Sequence, residues 1–177
     1  MTIEKQGETK SAFVRCARVD KERRYMNGYV FYDEYDGKEL DLKDEDYIDL
    51  IKRCCESCKT VSFKIKKPDA KTALALEKFQ ISKPENVRFS FSRIYSNDEL
   101  GIRYYKVCPA LCDLLINSAR SIFEWIDGWD YENPEDPTFY RDDGSVFLFS
   151  VIHEGEVYLF PNEDEDVDDI ISKGWIK

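Results

Sequence analysis

The stretch TFYRDDGSVFLFSVIHEGEVYLF, residues 138–160, is the main sequence evidence for the fold of this chain. It holds three runs of strand-forming residues, separated by the turn signals DDG at 142–144 and EG at 154–155. The middle run, residues 146–152, is nearly all apolar, which is typical of a strand that is buried on both faces. We therefore predict a β-meander whose second strand belongs to the core.

The sequence before this stretch predicts further strands and helices. Alternating apolar residues predict strands at residues 11–19, 28–35, 60–65, 87–95 and 101–107. Apolar residues at helical spacing, with their start and stop signals, predict helices at residues 45–57, 70–79 and 110–126. Asp44 is the expected N-cap of the first of these helices, and Gly128 is the expected stop of the third. Residues 129–137, rich in acids, aromatics and proline, are predicted to form a loop.

These patterns also predict the fold class and the domain organisation. With 177 residues, 42% of them hydrophobic, the chain is long enough to bury a sizeable core as one domain. We predict an α+β fold, in which a mixed, mainly antiparallel sheet packs against a few helices and ends in the β-meander and a short acidic helix at residues 163–172. Residues 1–10 are expected to form a flexible tail and residues 11–177 a single domain, with a subdivision near residue 108 as the alternative.

Negative charge is concentrated in the last third of the chain. Residues 124–177 hold 16 acidic residues against 3 basic ones, a net charge of −13, whereas residues 1–123 carry +3. Such an asymmetry bears on partners and on the surrounding field rather than on the fold. The total of −10 disfavours a nucleic-acid partner and favours a basic protein. The sequence shows no apolar leader and no run long enough to span a bilayer, so we expect a cytoplasmic protein without a membrane partner.

The six cysteines allow more than one interpretation. Cys55 and Cys58 form a CxxC pair. Cys108 and Cys112 form a CxxxC pair, and two such pairs could close a tetrahedral zinc site. Cys54, Cys55 and Cys58, however, lie on the apolar stripe of a predicted helix, where free cysteine behaves as a small hydrophobe. Core thiols are the preferred interpretation, with a metal site or redox chemistry as alternatives, and we predict no metal and no cofactor.

Motifs of common catalytic and nucleotide-binding sites are absent from the sequence. Its 8 glycines match neither GxGxxG nor GxxxxGK[ST], and neither GxSxG nor HExxH occurs. The single histidine, His153, lies in the second meander turn beside Glu154, where it is expected to fix the hairpin. We predict that the chain is not an enzyme. The alternative is an enzyme or small-ligand domain with a site near His153 and Glu154, which requires a concave pocket with a nucleophile in reach.

Residues 134–159, PEDPTFYRDDGSVFLFSVIHEGEVYL, resemble the C-terminal hairpins of small, uncharacterised bacterial proteins. Some of those proteins look like immunity proteins of toxin–immunity systems. The resemblance implies a cytosolic, acidic binder of a basic toxin, and it transfers no catalytic residue. This implication agrees with the charge asymmetry, because an acidic patch steers a basic partner and speeds association.

We therefore predict a non-enzymatic, acidic protein-binding module whose oligomeric state is unknown. The acids of residues 127–143 and 163–169 are expected to face the partner, and aromatics between Trp125 and Tyr140 are expected to act as hot-spot anchors. A third hypothesis, a nucleic-acid mimic, requires carboxylates spaced along a stripe. The predicted partner-binding residues are Asp127, Trp129, Asp130, Tyr131, Glu132, Glu135, Asp136, Asp142, Asp143, Glu163, Asp164 and Asp166.

Overall fold

A computed structural model describes residues 29–32, 43–87, 101–128, 131–162, 165 and 172. The strands are β1 (Tyr29–Tyr32), β2 (Thr60–Lys64), β3 (Gln80–Ile81), β4 (Ile102–Lys106), β5 (Asp127–Gly128), β6 (Tyr131–Glu132), β7 (Glu135–Tyr140), β8 (Val146–Val151) and β9 (Glu156–Leu159). The helices are α1 (Glu45–Ser57), α2 (Lys71–Leu76) and α3 (Pro109–Ser118). Short 3-10 helices lie at Glu77–Phe79, Ile122–Glu124 and Ile152–Glu154.

Seven of these strands form one sheet in the order β1-β9-β8-β7-β2-β4-β3. Every pairing between them is antiparallel. The helices pack against this sheet, which confirms the predicted α+β class, and the consecutive strands β7, β8 and β9 form the predicted meander. All six residues of β8 are buried, as its apolar run predicts. Strands from both sides of residue 108 pair with each other in the sheet, since β1 pairs with β9 and β2 pairs with β7.

Side chains that alternate along the meander strands contribute to two separate clusters. Leu148 and Leu159 belong to the larger core, together with the buried faces of the helices. Their sequence neighbours Phe149 and Tyr158 belong to a second cluster, where the two rings stack with centroids 4.5 Å apart. The meander therefore supplies core residues on both faces of the sheet.

Helix α1 begins after Asp44 and ends at Ser57, as predicted. The predicted capping bond, however, is absent, and Asp44 has φ 52°. Its carboxylate accepts hydrogen bonds from Nε and Nη2 of Arg120, at 2.9 and 2.8 Å. The position of the helix start was thus predictable, whereas the bond was not, because a guanidinium distant in sequence engages the carboxylate instead of the helix backbone.

The prediction of one helix over residues 110–126 is wrong. Helix α3 ends at Ser118, whose hydroxyl donates back to the carbonyl of Leu114 at 2.7 Å, and Ala119 is extended. Farther along, Trp125 is buried, and its indole N–H donates to the hydroxyl of Tyr47 at 2.9 Å. The apolar residues after α3 are therefore buried by tertiary packing, which helical spacing alone does not distinguish from a longer helix.

Residues 129–137 are not simply a loop. Strands β5 and β6 pair with each other, and β7 begins at Glu135, before the predicted start of that strand. The register of β7 against β2 shifts between Ser62 and Lys64, and Asp136 has φ 54°. This irregularity accommodates Pro137, which cannot donate a ladder hydrogen bond. Pro137, which belongs to the predicted loop, therefore lies in an irregular strand instead.

The remaining predictions divide by whether the structure describes them. The strands predicted at 60–65, 101–107 and 157–160 are confirmed, as is the helix at 70–79, which is α-helical to Leu76 and 3-10 beyond it. Gly128 lies in β5 rather than at a helix end, and β3 was not predicted. The predicted tail, the strand at 11–19, residues 88–95 and most of the helix at 163–172 lie outside the described residues. Within the described ranges, no helix is long and apolar enough to cross a bilayer.

Candidate acidic binding surface

The described members of the predicted partner-binding set lie at opposite ends of β7. Its beginning holds Asp127, Glu132, Glu135 and Asp136. Asp142 and Asp143 are the second and third residues after its end and lie in the β7–β8 turn. A six-residue strand separates its two ends by about 17 Å. The structure therefore does not bring the predicted acids together into one patch.

At the first end, the acids pair with two lysines that follow β2. Nζ of Lys66 lies 2.6 Å from Oε1 of Glu135, whose side chain is only 5% exposed. The same oxygen accepts a hydrogen bond from the backbone N–H of Asp127 at 3.2 Å. Nζ of Lys67 lies 3.0 Å from Oδ1 of Asp127 and 3.4 Å from Oε1 of Glu132, and the Asp127 carboxylate raises the pKa of Lys67. We call these five residues the lysine end, where acidic charge is neutralised within the chain.

Asp136 has a structural role beside the lysine end. Its Oδ1 accepts a hydrogen bond from the backbone N–H of Ile152 at 2.8 Å, which ties the start of β7 to the turn after β8. Burial raises the pKa of the Asp136 carboxyl above its ordinary value. A partly buried carboxylate that is engaged by the backbone offers little charge to a partner.

At the second end, Asp142 and Asp143 are exposed on a constrained turn. Oδ1 of Asp143 accepts hydrogen bonds from the backbone N–H of Ser145 at 2.9 Å and from its hydroxyl at 2.6 Å, and these bonds lower the pKa of Asp143. Nδ2 of Asn86 donates to the carbonyl of Asp142 at 2.6 Å. Gly144 has φ 81°, and a Cβ there would lie 2.3 Å from the Asn86 carbonyl oxygen. The turn is thus held in one shape that displays two carboxylates.

Arg141, the first residue after β7, connects this turn to the C-terminal segment. It is buried, and its guanidinium donates to the carbonyls of Val146 at 2.8 Å and Phe160 at 2.6 Å. It also donates to both carboxylate oxygens of Glu165, from Nε at 3.0 Å and from Nη2 at 2.6 Å. Such a two-pronged pair fixes geometry as well as charge. Glu165 is therefore attached to the sheet through Arg141.

We call Arg141, Asp142, Asp143 and Glu165 the arginine end. The predicted partner-binding residues include neither Arg141 nor Glu165, although the sequence contains a signal for Arg141. Arg141 is one of only 3 basic residues in the last 54, and it directly follows the strand predicted at residues 138–140. A basic residue that is buried needs a paired acid, so its position indicates an ion pair with some acid of this region.

The other predicted contact residues are either outside the described part of the chain or buried. Only the backbone of Tyr131 is described, and it pairs with Gly128. The predicted anchors Trp125 and Tyr140 are buried in the two cores, so the aromatic residues at these positions cannot anchor a partner. The residues that lie outside the described ranges are Trp129, Asp130, Glu163, Asp164 and Asp166.

His153 lies in the 3-10 helix that connects β8 to β9. Its side chain is 51% exposed, and its Nε2 lies 3.4 Å from Oε1 of Glu154, which is 56% exposed. These two residues therefore form an exposed turn pair. This geometry does not provide the concave setting that the enzyme alternative requires, and it gives that alternative no support.

The described cysteines pack on or within the larger core. Cys54 and Cys58 are buried in it, and burial raises the pKa of both thiols, as expected for core cysteines. Cys55, Cys108 and Cys112 are partly exposed and pack against the same core, and all five are free. Among the residues that the structure describes, no three His, Cys, Asp or Glu side chains are grouped so as to hold a metal ion.

Comparisons with known proteins add no assignment. The sequence matches no protein-family model, no curated protein and no solved structure. The chemistry of the lysine end and the arginine end is therefore the basis for a functional proposal.

Proposed function

We propose that this chain is a non-enzymatic, acidic protein-binding module of the cytoplasm, and that it acts as a bacterial immunity protein that neutralises a basic toxin. The observation that carries the proposal is the ion pair between the buried Arg141 and the partly exposed Glu165, 2.6 Å apart. This pair attaches Glu165, one of the acids of the C-terminal third, to the sheet next to a turn with two exposed acids. An ordered acidic surface can recognise a basic partner, whereas an unattached acidic tail would mainly attract it.

The charge balance of the two ends supports the arginine end as the contact surface. At the lysine end, two lysines lie within ion-pair distance of three acids. At the arginine end, the one cation is buried and engaged by Glu165 and two carbonyls. Within the described ranges, no ion pair reaches Asp142 or Asp143, so their charge is available to a partner.

The rigidity of the β7–β8 turn also supports a binding role. The hydrogen bonds of Asp143 to Ser145 lower its pKa, so it keeps its charge at all but strongly acidic pH. The contact between Asn86 and Gly144 leaves the turn little freedom. A partner that binds a preformed turn loses less conformational entropy than one that must order a loop.

The test is a binding measurement with matched charge reversals at the two ends. The partner is captured from a lysate of the source organism, identified by mass spectrometry and purified. The variant D142K/D143K reverses two charges at the arginine end. The control variant E132K/E154K makes the same net change at two exposed acids near the other end of β7. We expect the first variant to slow association by about tenfold or more at low salt, and the control by about twofold or less.

Two results would contradict the proposal. One is a partner that binds both variants alike. The other is an association rate that does not fall between low and high salt, because screening weakens steering between exposed charges. The immunity role is tested separately by growth, since cells that produce the captured partner should grow only when this chain is co-expressed.

A further inference from the structure

The sheet divides into two halves of opposite charge at the pairing between β7 and β2. On one side lie β7, β8 and β9, and residues 131–162, which contain them, hold seven acidic residues and one basic residue. On the other side lie β2, β4 and β3, and residues 59–87 and 101–106 hold nine basic residues and three acidic ones. The second half is therefore locally basic, although the whole chain carries a charge of −10.

Helix α2 and the 3-10 helix that continues it expose two lysines and a leucine of this basic half. Ala73 and Leu76 are buried in the larger core. Lys71, Leu74 and Lys78 are exposed on the side that points away from this core. Because residues three and four apart are neighbours on a helix surface, both lysines lie next to Leu74. We call these three exposed residues the α2 stripe.

The centre of the α2 stripe is apolar. Within the described ranges, Leu74 is the one large hydrophobic side chain that is exposed, at 52%. The ammonium of Lys78 lies 4.9 Å from the centroid of the Phe79 ring, which is itself partly exposed. This cation–π contact holds the charge of Lys78 next to apolar surface. The stripe therefore combines an exposed apolar side chain with a cation on either side of it.

The lysines of the α2 stripe are not neutralised by the acids around them. In the part of the chain that the structure describes, the ion pairs reach neither Lys71 nor Lys78. Glu77, which lies between them in the sequence, has its Oε1 4.0 Å from Nη1 of Arg103. The two lysines of the lysine end, by contrast, already pair with acids. The charge of the stripe is thus available to an acidic partner.

We propose that the α2 stripe binds an acidic segment of another protein, whose carboxylates pair with Lys71 and Lys78 and whose apolar side chain packs on Leu74. Charge complementarity supports this partner, because opposite charges steer encounter and fix register. The apolar centre favours a protein segment over a nucleic acid, and the charge of −10 opposes a long polyanion. The stripe is separate from the exposed acids of the arginine end, so this inference does not rest on the proposed function.

The experiment measures, by fluorescence anisotropy, how the full-length protein binds a fluorescein-labelled peptide of glutamates with one central leucine. The variant K71E/K78E reverses both charges of the stripe, and its affinity should be lower than that of the parent by about tenfold or more at low salt. The control K52E/K59E makes the same net change at exposed lysines of α1 and of the end of β2 farther from α2. The control should lose about twofold or less.

The apolar contact is tested from both sides. L74S should weaken binding of the leucine peptide by about threefold to tenfold, because apolar surface is no longer buried. A glutamate peptide with a central serine should show a similar loss with the unchanged protein, so this arm does not depend on how a variant folds.

Four results would overturn the proposal. The leucine peptide does not bind the parent, or it binds K71E/K78E as tightly as the parent. A single-stranded DNA oligonucleotide of equal charge binds the parent more tightly than the peptide does, which would make the stripe a nucleic-acid site. The parent self-associates in sedimentation and K71E/K78E does not, which would make a second copy of this chain the occupant.

Discussion

The two ends of β7 contain similar acids and treat them differently. At the lysine end, Lys66 and Lys67 approach three carboxylates from the segment after β2, and acidic charge is cancelled close to where it arises. At the arginine end, one buried arginine binds Glu165 and leaves two neighbouring acids exposed. The number of acids in a region therefore does not determine how much unpaired negative charge it exposes. The positions of a few bases decide which carboxylates a partner can meet.

The two ends also differ in how far water reaches their ion pairs. The side chain of Lys66 is 43% exposed, whereas that of Arg141 is 9% exposed. Water partly screens the charge of Lys66, so its pair with Glu135 is expected to contribute less to stability than the pair of Arg141 with Glu165. Removing one partner of a buried charge lowers the free energy of unfolding much more, because water cannot replace the missing hydrogen bonds.

The largest effect is expected from Arg141→Met, which keeps much of the side-chain volume and removes the charge. Glu165 and the carbonyls of Val146 and Phe160 then lose their donor, and the free energy of unfolding should fall by about 3–5 kcal/mol in urea denaturation. The control is Arg120→Met, because that arginine forms an exposed pair with Asp44.

The Arg120 control should lose less than about 1 kcal/mol. If the two methionine variants lose the same stability, the burial of Arg141 has no energetic consequence. The two ends of β7 would then not differ in how much their ion pairs stabilise the fold.

A smaller effect is expected from Glu135→Gln at the lysine end. The amide keeps an acceptor for the Asp127 N–H but weakens the charge-assisted bond from Lys66, so unfolding should become easier by about 2 kcal/mol. Glu132→Gln is the matched control, since that side chain is 72% exposed. Its free energy of unfolding should stay within about 0.5 kcal/mol of the parent, and a control that loses as much as Glu135→Gln would show that burial does not separate the two acids.

The smallest effect is a pH dependence of opposite sign near the two ends. Burial raises the folded-state pKa of Asp136, so its contribution to stability is complete below the unfolded pKa and is lost as pH rises through the folded pKa. Hydrogen bonds to Ser145 lower the folded-state pKa of Asp143, so its contribution is present above the unfolded pKa and is lost as pH falls through the folded pKa.

Two asparagine variants measure this difference. Relative to the parent, Asp136→Asn should be more stable at about pH 7 than at about pH 3, because it removes an ionisation that the fold disfavours. Asp143→Asn should show the reverse, because it removes an ionisation that the fold favours. Urea denaturation at both pH values checks the sign, and shifts of the same sign in both variants would refute the assignment.

The sequence predicted those strands and helices in which apolar residues repeat at a regular spacing. The apolar run of β8 indicated burial on both faces, because each residue of such a strand meets a core. The end of α3 was not predictable in this way. Trp125 lies at helical spacing from α3, yet it is buried by a hydrogen bond and packing that involve Tyr47 of α1. Apolar periodicity predicts that a residue is buried, but it does not identify the residues against which it packs.

The same limit applies to the candidate site. The charge count correctly marked the C-terminal third as acidic, but it treated all its acids as equivalent. Asp136 is engaged by the backbone of Ile152, and Glu135 by Lys66, and both partnerships join residues far apart in the chain. The need of Arg141 for an acidic partner was predictable, because it is a rare basic residue next to a buried strand. No pattern in the neighbouring sequence identified Glu165 as that partner.

Because β1 pairs with β9, the first described strand lacks this partner until almost all of the described chain has been synthesised. Strand β2 likewise waits for β7 before its second edge is covered. Pairing between such distant segments slows folding, and an open strand edge can bind other chains while it waits. Nascent chains arrested at successive lengths should therefore gain resistance to proteolysis late, once the meander has left the ribosome. Pairing with the meander strands is thus expected to cover the open strand edges through which the growing chain could aggregate.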